Sequence, residues 1–267
     1  MNPCHDNRFQ DFFADDLYVS LKNHLYNYIL RKRAVRKALR GEVRKMVLEV
    51  GSGLSPVTDA DDSIFYSDIS FPALKTLRLR YGGGGHVVAD ATDLPFKTRV
   101  FSQVIASEVL EHLPDDRRAI MEMTRVMKSS GSLVMTFPHG QYYFACDDRF
   151  VKHYRRYGLD EMVDRLEKAG LKPVSVRKIL GPLDKVTMCL AVTCFSIFQK
   201  WRSTRSGPAS LQASKGFTGT LFKWGNRAFA GIVWLDALIT PRPLSTVLLI
   251  KATRKEEYEE RSQSLGA

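Results

Sequence analysis

The chain has 267 residues, a hydrophobic fraction of 44% and a formal net charge of +11. This size and composition suffice for one substantial α/β domain with additions, or for two small domains, around a buried core. Four cysteines without a CxxC pair exclude a small disulfide scaffold and make a structural zinc site unexpected. The basic charge is compatible with nucleic acid, with an anionic membrane surface, or with a solvated surface that has no partner.

The first 45 residues are predicted to be helical and basic. In LYVSLKNHLYNYILRKRAVRKALR, apolar side chains recur at helical spacing. We expect residues 1–45 to pack against the core or to act as a lid. The beginning of the chain, MNPCHDNRFQDFF, shows no apolar signal-peptide region. A cytoplasmic protein is therefore expected, peripheral on the inner membrane face if it contacts a membrane.

From residue 46 to residue 182, strand and helix signals alternate. Short apolar runs followed by turn residues predict strands, and apolar residues at helical spacing predict the helices between them. A last strand is expected over 244–254. This alternation predicts a doubly wound, mostly parallel sheet of seven strands with a Rossmann-like topology. The earlier strands are predicted in MVLEV, IFYSD, HVVAD, VFSQVIAS, GSLVMTF and LKPVSVRKI.

Residues 183–243 depart from this alternation. Two apolar stretches flank a segment rich in Ser, Gly and Lys, and eight basic residues stand against two acidic ones. The first stretch has 14 uncharged residues between Lys185 and Lys200, fewer than the roughly 20 that a membrane-spanning helix needs. We predict a helical insertion that either caps the fold or lies on an anionic membrane surface. Residues 255–267 are expected to form a mobile polar tail.

The first predicted strand ends in GSGLSP, residues 51–56. Glycines at such a turn let the backbone approach a nucleotide-like ligand. The dinucleotide fingerprint has a third glycine where this chain has Pro56, and an acidic residue such as Glu49 before the first glycine is not part of it. A nicotinamide-dependent oxidoreductase is therefore the poorer interpretation.

The Glu-x-Gly-x-Gly pattern at this turn resembles the cofactor loop of class I S-adenosylmethionine-dependent methyltransferases, in the small-molecule branch of the type 11 enzymes. The segments IFYSD, VVADATDLPF, FSQVIASEVLEHLPD and EMTRVMKSSGSLVMTFP continue the resemblance in order. It implies S-adenosylmethionine as cofactor, with Asp68 at the ribose hydroxyls and Asp90 at the adenine. The cofactor-binding residues implied are Glu49, Gly51, Ser52, Gly53, Asp68, Ile69, Asp90, Ala91, Ser107 and Glu108.

In the same family the acceptor docks after the fifth strand, where this chain reads FPHGQYYFACDDRFVKHYRRYG. His139, Tyr142, Tyr143 and His153 are the candidates there for acceptor contact or proton removal. No metal ligands are predicted. One departure from the family is the short, acidic SPVTDADDS in place of a full helix between the first two strands. It leaves open the geometry at the carboxylate end of the cofactor.

The apolar insertion and the basic charge favour a hydrophobic or membrane-resident acceptor over a soluble one. A nucleic-acid acceptor is disfavoured, because enzymes that methylate amino groups of nucleic acids usually carry a Pro-Pro-aromatic loop where this chain reads Ser107-Glu108-Val109. The alternative of another class is a non-catalytic protein that binds the cofactor or acts as a membrane adaptor. The sequence leaves the oligomeric state open.

Overall fold

The protein is built around one seven-stranded sheet. A computed structural model describes residues 23–41, 46–59, 61–203 and 217–255. The predictions for 1–22, 42–45, 204–216 and 256–267 lie outside the described residues. The strands are β1 (Val47–Val50), β2 (Ile64–Asp68), β3 (Gly85–Val88), β4 (Phe101–Ser107), β5 (Met127–Pro138), β6 (Leu171–Leu180) and β7 (Val247–Arg254). Their order is β3-β2-β1-β4-β5-β7-β6. Only β7 is antiparallel to its neighbours, which confirms the predicted mostly parallel sheet.

Seven α-helices connect and cover the strands within the described residues. Ser70 begins the second of them, because its Oγ accepts a hydrogen bond from the Ala73 N–H, and Gly82 ends it at φ +70°. The helices are α1 (Tyr26–Ala38), α2 (Phe71–Tyr81), α3 (Asp116–Val126), α4 (Cys146–Phe150), α5 (Leu159–Lys168), α6 (Pro182–Ser203) and α7 (Phe217–Ile239).

Helices lie on both faces of the sheet. On one face, Met123 of α3 and Leu166 of α5 are buried in the cluster that contains Leu48. On the other face, α1, α2 and α7 contribute to a second cluster, with Val35 and Val233 as fully buried members. Full burial of such side chains contributes about 1.5–3 kcal/mol each to folding. The two clusters hold the strands in register and therefore fix the positions of their ends.

The apolar insertion forms two helices, α6 and α7, between β6 and β7. The α7 helix packs on α1, where the rings of Tyr26 and Phe229 meet edge to face at 4.9 Å. Among the described helices, none combines the length and the hydropathy that crossing a bilayer requires.

Candidate functional site

The carboxyl ends of β1, β2, β3 and β4 lie side by side at one edge of the sheet. Val50 of β1 is in register with Ser67 of β2 and with Ala106 of β4. The residues that follow these strands therefore meet, at the edge where open α/β sheets bind ligands.

The glycine turn after β1 is fixed to the end of β2. The N–H groups of Gly51 and Ser52 both donate to the carbonyl oxygen of Ser67, at 2.8 and 3.1 Å. Gly51 has φ +67°, and a Cβ there would lie 2.6 Å from Cγ2 of Val109. Only glycine combines this conformation with so close a neighbour.

Asp68 lies at the end of β2, held by two main-chain donors. Its Oδ2 accepts from the Gly53 N–H at 2.8 Å and its Oδ1 from the Ser70 N–H at 2.9 Å. Each carboxylate oxygen can accept more than one hydrogen bond, so the fixed carboxylate can also accept hydrogen bonds from two vicinal hydroxyls. The neighbouring Ile69 is 46% exposed and flanks this position.

Asp90 follows β3, the next strand along the edge. Its Oδ1 accepts hydrogen bonds from the N–H and the hydroxyl of Thr92, both at 2.8 Å. The turn that results carries the buried Ala91. Because Asp68 is in register with Val88, Asp90 and Ala91 lie just beyond the end of the strand next to Asp68, as the prediction of one nucleoside held at both ends requires.

Glu49 lies at the same edge but points into the loop. It is 2% exposed, and its carboxylate accepts from the N–H groups of Val57 and Thr58 at 2.7 and 3.1 Å, and from the Thr58 hydroxyl. Burial raises the pKa of Glu49, and these hydrogen bonds oppose the rise. These hydrogen bonds hold the short loop that replaces the helix usual in this family between the first two strands. The predicted contact of Glu49 with the cofactor stays a prediction.

The same loop is held from outside by α1. The Tyr28 hydroxyl donates to the Pro56 carbonyl oxygen at 2.6 Å, and Lys32 Nζ donates to the carbonyls of Pro56 and Thr58 at 3.5 and 3.4 Å. The described part of the N-terminal segment thus packs on the cofactor loop. Its role as a lid stays a prediction.

Ser107 and Glu108 end β4 beside the glycine turn. The hydroxyls of Ser107 and Thr136 lie 2.9 Å apart, and Thr136 donates to Glu108 Oε1 at 3.1 Å. Glu108 has φ +56°, a strained conformation for a residue with a side chain. Its Oε2 lies 3.6 Å from Arg31 of α1. This ion pair therefore joins α1 to the end of β4.

Three of the four acceptor-side candidates make hydrogen bonds to main-chain carbonyls. His139 is buried, its pKa is lowered by burial, and its Nδ1 lies 2.9 Å from the Tyr157 oxygen. The hydroxyls of Tyr142 and Tyr143 donate to the carbonyls of Pro243 and Leu244. The two tyrosine contacts brace the turn before β7. A catalytic role for His139, Tyr142 or Tyr143 stays a prediction.

Sequence reasoning missed a buried ionic cluster next to His153. Asp147 and Asp148 accept hydrogen bonds from Lys185 Nζ at 2.5 and 2.6 Å, and Asp148 accepts two more from Arg156 Nε at 2.8 and 2.9 Å. The only signals in the sequence are paired charges, which are more often solvated. Asp184, on the first turn of α6, lies buried close by.

Comparisons with known proteins agree with this geometry. Residues 48–135 match the family model of a methyltransferase domain. Demethylmenaquinone methyltransferases of Paenarthrobacter aurescens and Renibacterium salmoninarum are 32% identical over 113 residues, 40% of this chain and 45% and 48% of those proteins. The chain thus spans about half the length of the curated relatives it matches.

Solved methyltransferases share the fold. One from Thermotoga maritima superposes with a TM-score of 0.58 at 18% identity, covering 93% of this chain and 98% of its own. Phosphoethanolamine N-methyltransferase 2 of Haemonchus contortus, solved with S-adenosylhomocysteine, gives 0.57 at 16% identity, covering 92% and 60%. A methyltransferase solved with the Haloferax volcanii activator Trm112 gives 0.60 at 15% identity, covering 93% and 96%.

The fold is that of solved methyltransferases. Residues 48–135 match a methyltransferase domain, and this match supports the predicted class I S-adenosylmethionine-dependent methyltransferase of the small-molecule type, with S-adenosylmethionine as its cofactor.

Proposed function

We propose that the protein transfers the methyl group of S-adenosylmethionine to a hydrophobic small molecule that resides in a membrane. The observation that carries the proposal is the fixed carboxylate of Asp68, bonded to the Gly53 N–H of the glycine turn. We assign this carboxylate to the two ribose hydroxyls of the cofactor. The demethylmenaquinone methyltransferases among the relatives support a hydrophobic acceptor.

Methyl transfer from a sulfonium needs positioning more than acid–base chemistry. The cofactor supplies its own leaving group, so the protein must align donor and acceptor and exclude water. We assign the acceptor to the end of β4, where Glu108 lies 3.6 Å from Arg31 of α1. His139 and Tyr142 stay untested as catalytic candidates, although their observed hydrogen bonds favour bracing roles.

Removing the Asp68 carboxylate tests the cofactor site. We expect Asp68→Ala to bind S-adenosylmethionine at least tenfold more weakly, about 1.4 kcal/mol, because two ribose hydroxyls lose their acceptor. Asp164→Ala, which removes an exposed carboxylate paired with Lys168, serves as the matched control. Calorimetric titration, with NAD as the negative ligand, measures both. Equal affinities of the two variants would show that Asp68 does not hold the ribose.

An exposed apolar surface on the insertion supports the membrane-resident acceptor. On α7 one side packs on the protein, while the other presents large apolar side chains to solvent, flanked by the exposed Lys223 and Arg227. Apolar residues edged by basic ones suit the interface of an anionic bilayer. This outer surface of α7 contains Trp224, Ile232, Trp234, Leu235, Leu238 and Ile239.

Polar substitutions on the outer surface of α7 test membrane contact. We expect the Ile232→Ser and Leu235→Ser double variant to bind anionic phospholipid vesicles at least tenfold more weakly, because two side chains lose transfer free energy of about 1.5–3 kcal/mol each on full burial. Leu79→Ser, an equally polar change at an exposed leucine of α2, is the control. Vesicle sedimentation gives the affinities. Binding that is unchanged in the double variant would contradict contact through this surface.

A turnover assay distinguishes a methyltransferase from a non-catalytic protein that binds the cofactor or acts as a membrane adaptor. Radiolabelled methyl from the cofactor should enter the organic phase of a lipid and quinone extract when the protein is present. Cofactor binding without incorporation into any extract would favour the non-catalytic alternative. Radiolabel found only in the aqueous phase would contradict a hydrophobic acceptor, but it would still support methyltransferase activity.

A further inference from the structure

Two histidines and a buried glutamate meet one turn beyond Glu108. A short 3-10 helix, Leu110–His112, follows the end of β4 and carries Glu111 and His112. His153 comes from the segment after α4. One ligand atom of each residue lies within 4.8 Å of those of the other two, and the histidine rings are 4.7 Å apart.

The Glu111 carboxylate is fully buried without a hydrogen-bond donor. Its exposure is 0%, and among the described residues neither of its oxygens accepts a hydrogen bond. Buried carboxylates in proteins are paired with cations or bind metals. Among the described residues, the ion-pair partner of this carboxylate is the imidazole of His153, at 3.8 Å, and no Lys or Arg lies within the same distance.

His153 is oriented as a metal ligand would be. Its Nδ1 lies 2.9 Å from Asp148 Oδ1. When the Nδ1 proton of the neutral imidazole is donated to this carboxylate, the lone pair is on Nε2. A carboxylate that holds a histidine in this way is the common support of metal-binding histidines.

The distance between His153 and Glu111 fits a shared ion. Nε2 of His153 lies 3.8 Å from Oε1 of Glu111, too far for a hydrogen bond. Two atoms bound to one ion at about 2.1 Å each are at most about 4.2 Å apart. A lone pair and a carboxylate oxygen that face each other at this distance leave room for a cation between them.

We propose that Glu111, His112 and His153 bind one divalent transition-metal ion, of the class of Zn²⁺, Mn²⁺ or Fe²⁺. Two imidazoles and a carboxylate are ligands that such ions prefer, and three protein ligands leave coordination positions open. Both histidines are partly exposed, which gives an ion access. If the proposed function holds, an oxygen of the acceptor can fill an open position next to the cofactor loop.

A second cluster of ligand-type side chains does not share these properties. Cys146, Asp147 and Cys189 also have ligand atoms within 4.8 Å of one another. The Asp147 carboxylate, however, is bonded to the ammonium of Lys185 at 2.5 Å. Its cation is already supplied by the protein, so this cluster provides a control.

Metal titration in the absence of cofactor and acceptor tests the site. The metal-free full chain is titrated with Zn²⁺ by calorimetry, and with Co²⁺ by its visible absorption. We expect one ion per chain. Glu111→Gln and His153→Asn should each weaken binding about a hundredfold or more, since even residues that only support metal ligands change affinity 10–100-fold. Cys189→Ser and His86→Asn are the controls, and both should bind as the wild type does.

The outcomes separate this proposal from the proposed function. No ion bound by the wild type, or equal affinity in Glu111→Gln, would overturn the metal site. Circular dichroism confirms that each variant is folded, and the two ligand variants serve as independent checks. If the protein binds the ion tightly but does not bind S-adenosylmethionine, the metal site is supported and the proposed methyltransferase activity is contradicted.

Discussion

The Arg156→Met variant is expected to lose about 3–5 kcal/mol of its free energy of unfolding. The guanidinium of Arg156 is buried and donates to both oxygens of Asp148, at 2.8 and 2.9 Å. It also donates to the carbonyls of His139 and Thr246, at 3.4 and 3.3 Å. Removing it leaves a buried carboxylate without one of its cationic partners and takes a donor from each of the two carbonyls, although the Thr246 carbonyl still accepts from the His139 N–H at 2.8 Å.

Urea unfolding at neutral pH measures this loss. Lys168→Met is the matched control, because it breaks an exposed ion pair with Asp164. Such pairs contribute about 0–1 kcal/mol. The two variants therefore compare a buried and an exposed ion pair in one protein. A loss below 1 kcal/mol in Arg156→Met would mean that the cluster relaxes or admits water when the arginine is removed.

Asp184→Asn is expected to change how stability depends on pH. Burial raises the pKa of Asp184 to about 6, from an ordinary value of 3.8. Arg31 and Arg156 lower it, as does the hydrogen bond from Tyr26, while Glu108 raises it. The Tyr26 hydroxyl lies 2.9 Å from Oδ1, an oxygen that asparagine retains.

The direction of the pH dependence follows from the raised pKa of Asp184. The folded state holds the proton of Asp184 more tightly than the unfolded state does, so the wild type loses stability relative to Asp184→Asn as the pH rises from about 4 to about 7. A difference of about 2 pH units corresponds to about 2–3 kcal/mol. Urea unfolding at several pH values measures the difference in free energy of unfolding between the two proteins. The exposed Asp164→Asn variant is the control, and its difference from the wild type should be the same at each pH. A constant gap for Asp184→Asn would show that its pKa is not raised.

The sheet and the cofactor edge were predictable because their signals are local. Strand and helix periods, the Ser70 cap and the glycine turn each depend on a few adjacent residues. Asp68 and Asp90 follow from the same reasoning, since the carboxyl ends of parallel strands meet at one edge.

The acceptor side was not predictable, because its contacts join distant segments. Arg31 meets Glu108, and His153 meets Glu111, only after the chain has folded. The sequence also could not show which hydrogen bonds a side chain makes. His139 was a candidate for proton removal by its residue type, whereas its Nδ1 lies against a main-chain carbonyl.

The insertion leaves and re-enters the sheet at a single point. Leu180 at the end of β6 is in register with Val247 at the start of β7, and the Thr246 N–H donates to the Leu180 carbonyl at 3.0 Å. Residues 181–246 can therefore be exchanged for another segment through one junction, provided that the new segment replaces the buried core side chains of α7, such as Val233. In such a chain evolution, or a protein engineer, can graft a new cap onto an old catalyst and so change what is methylated while the source of the methyl group stays the same.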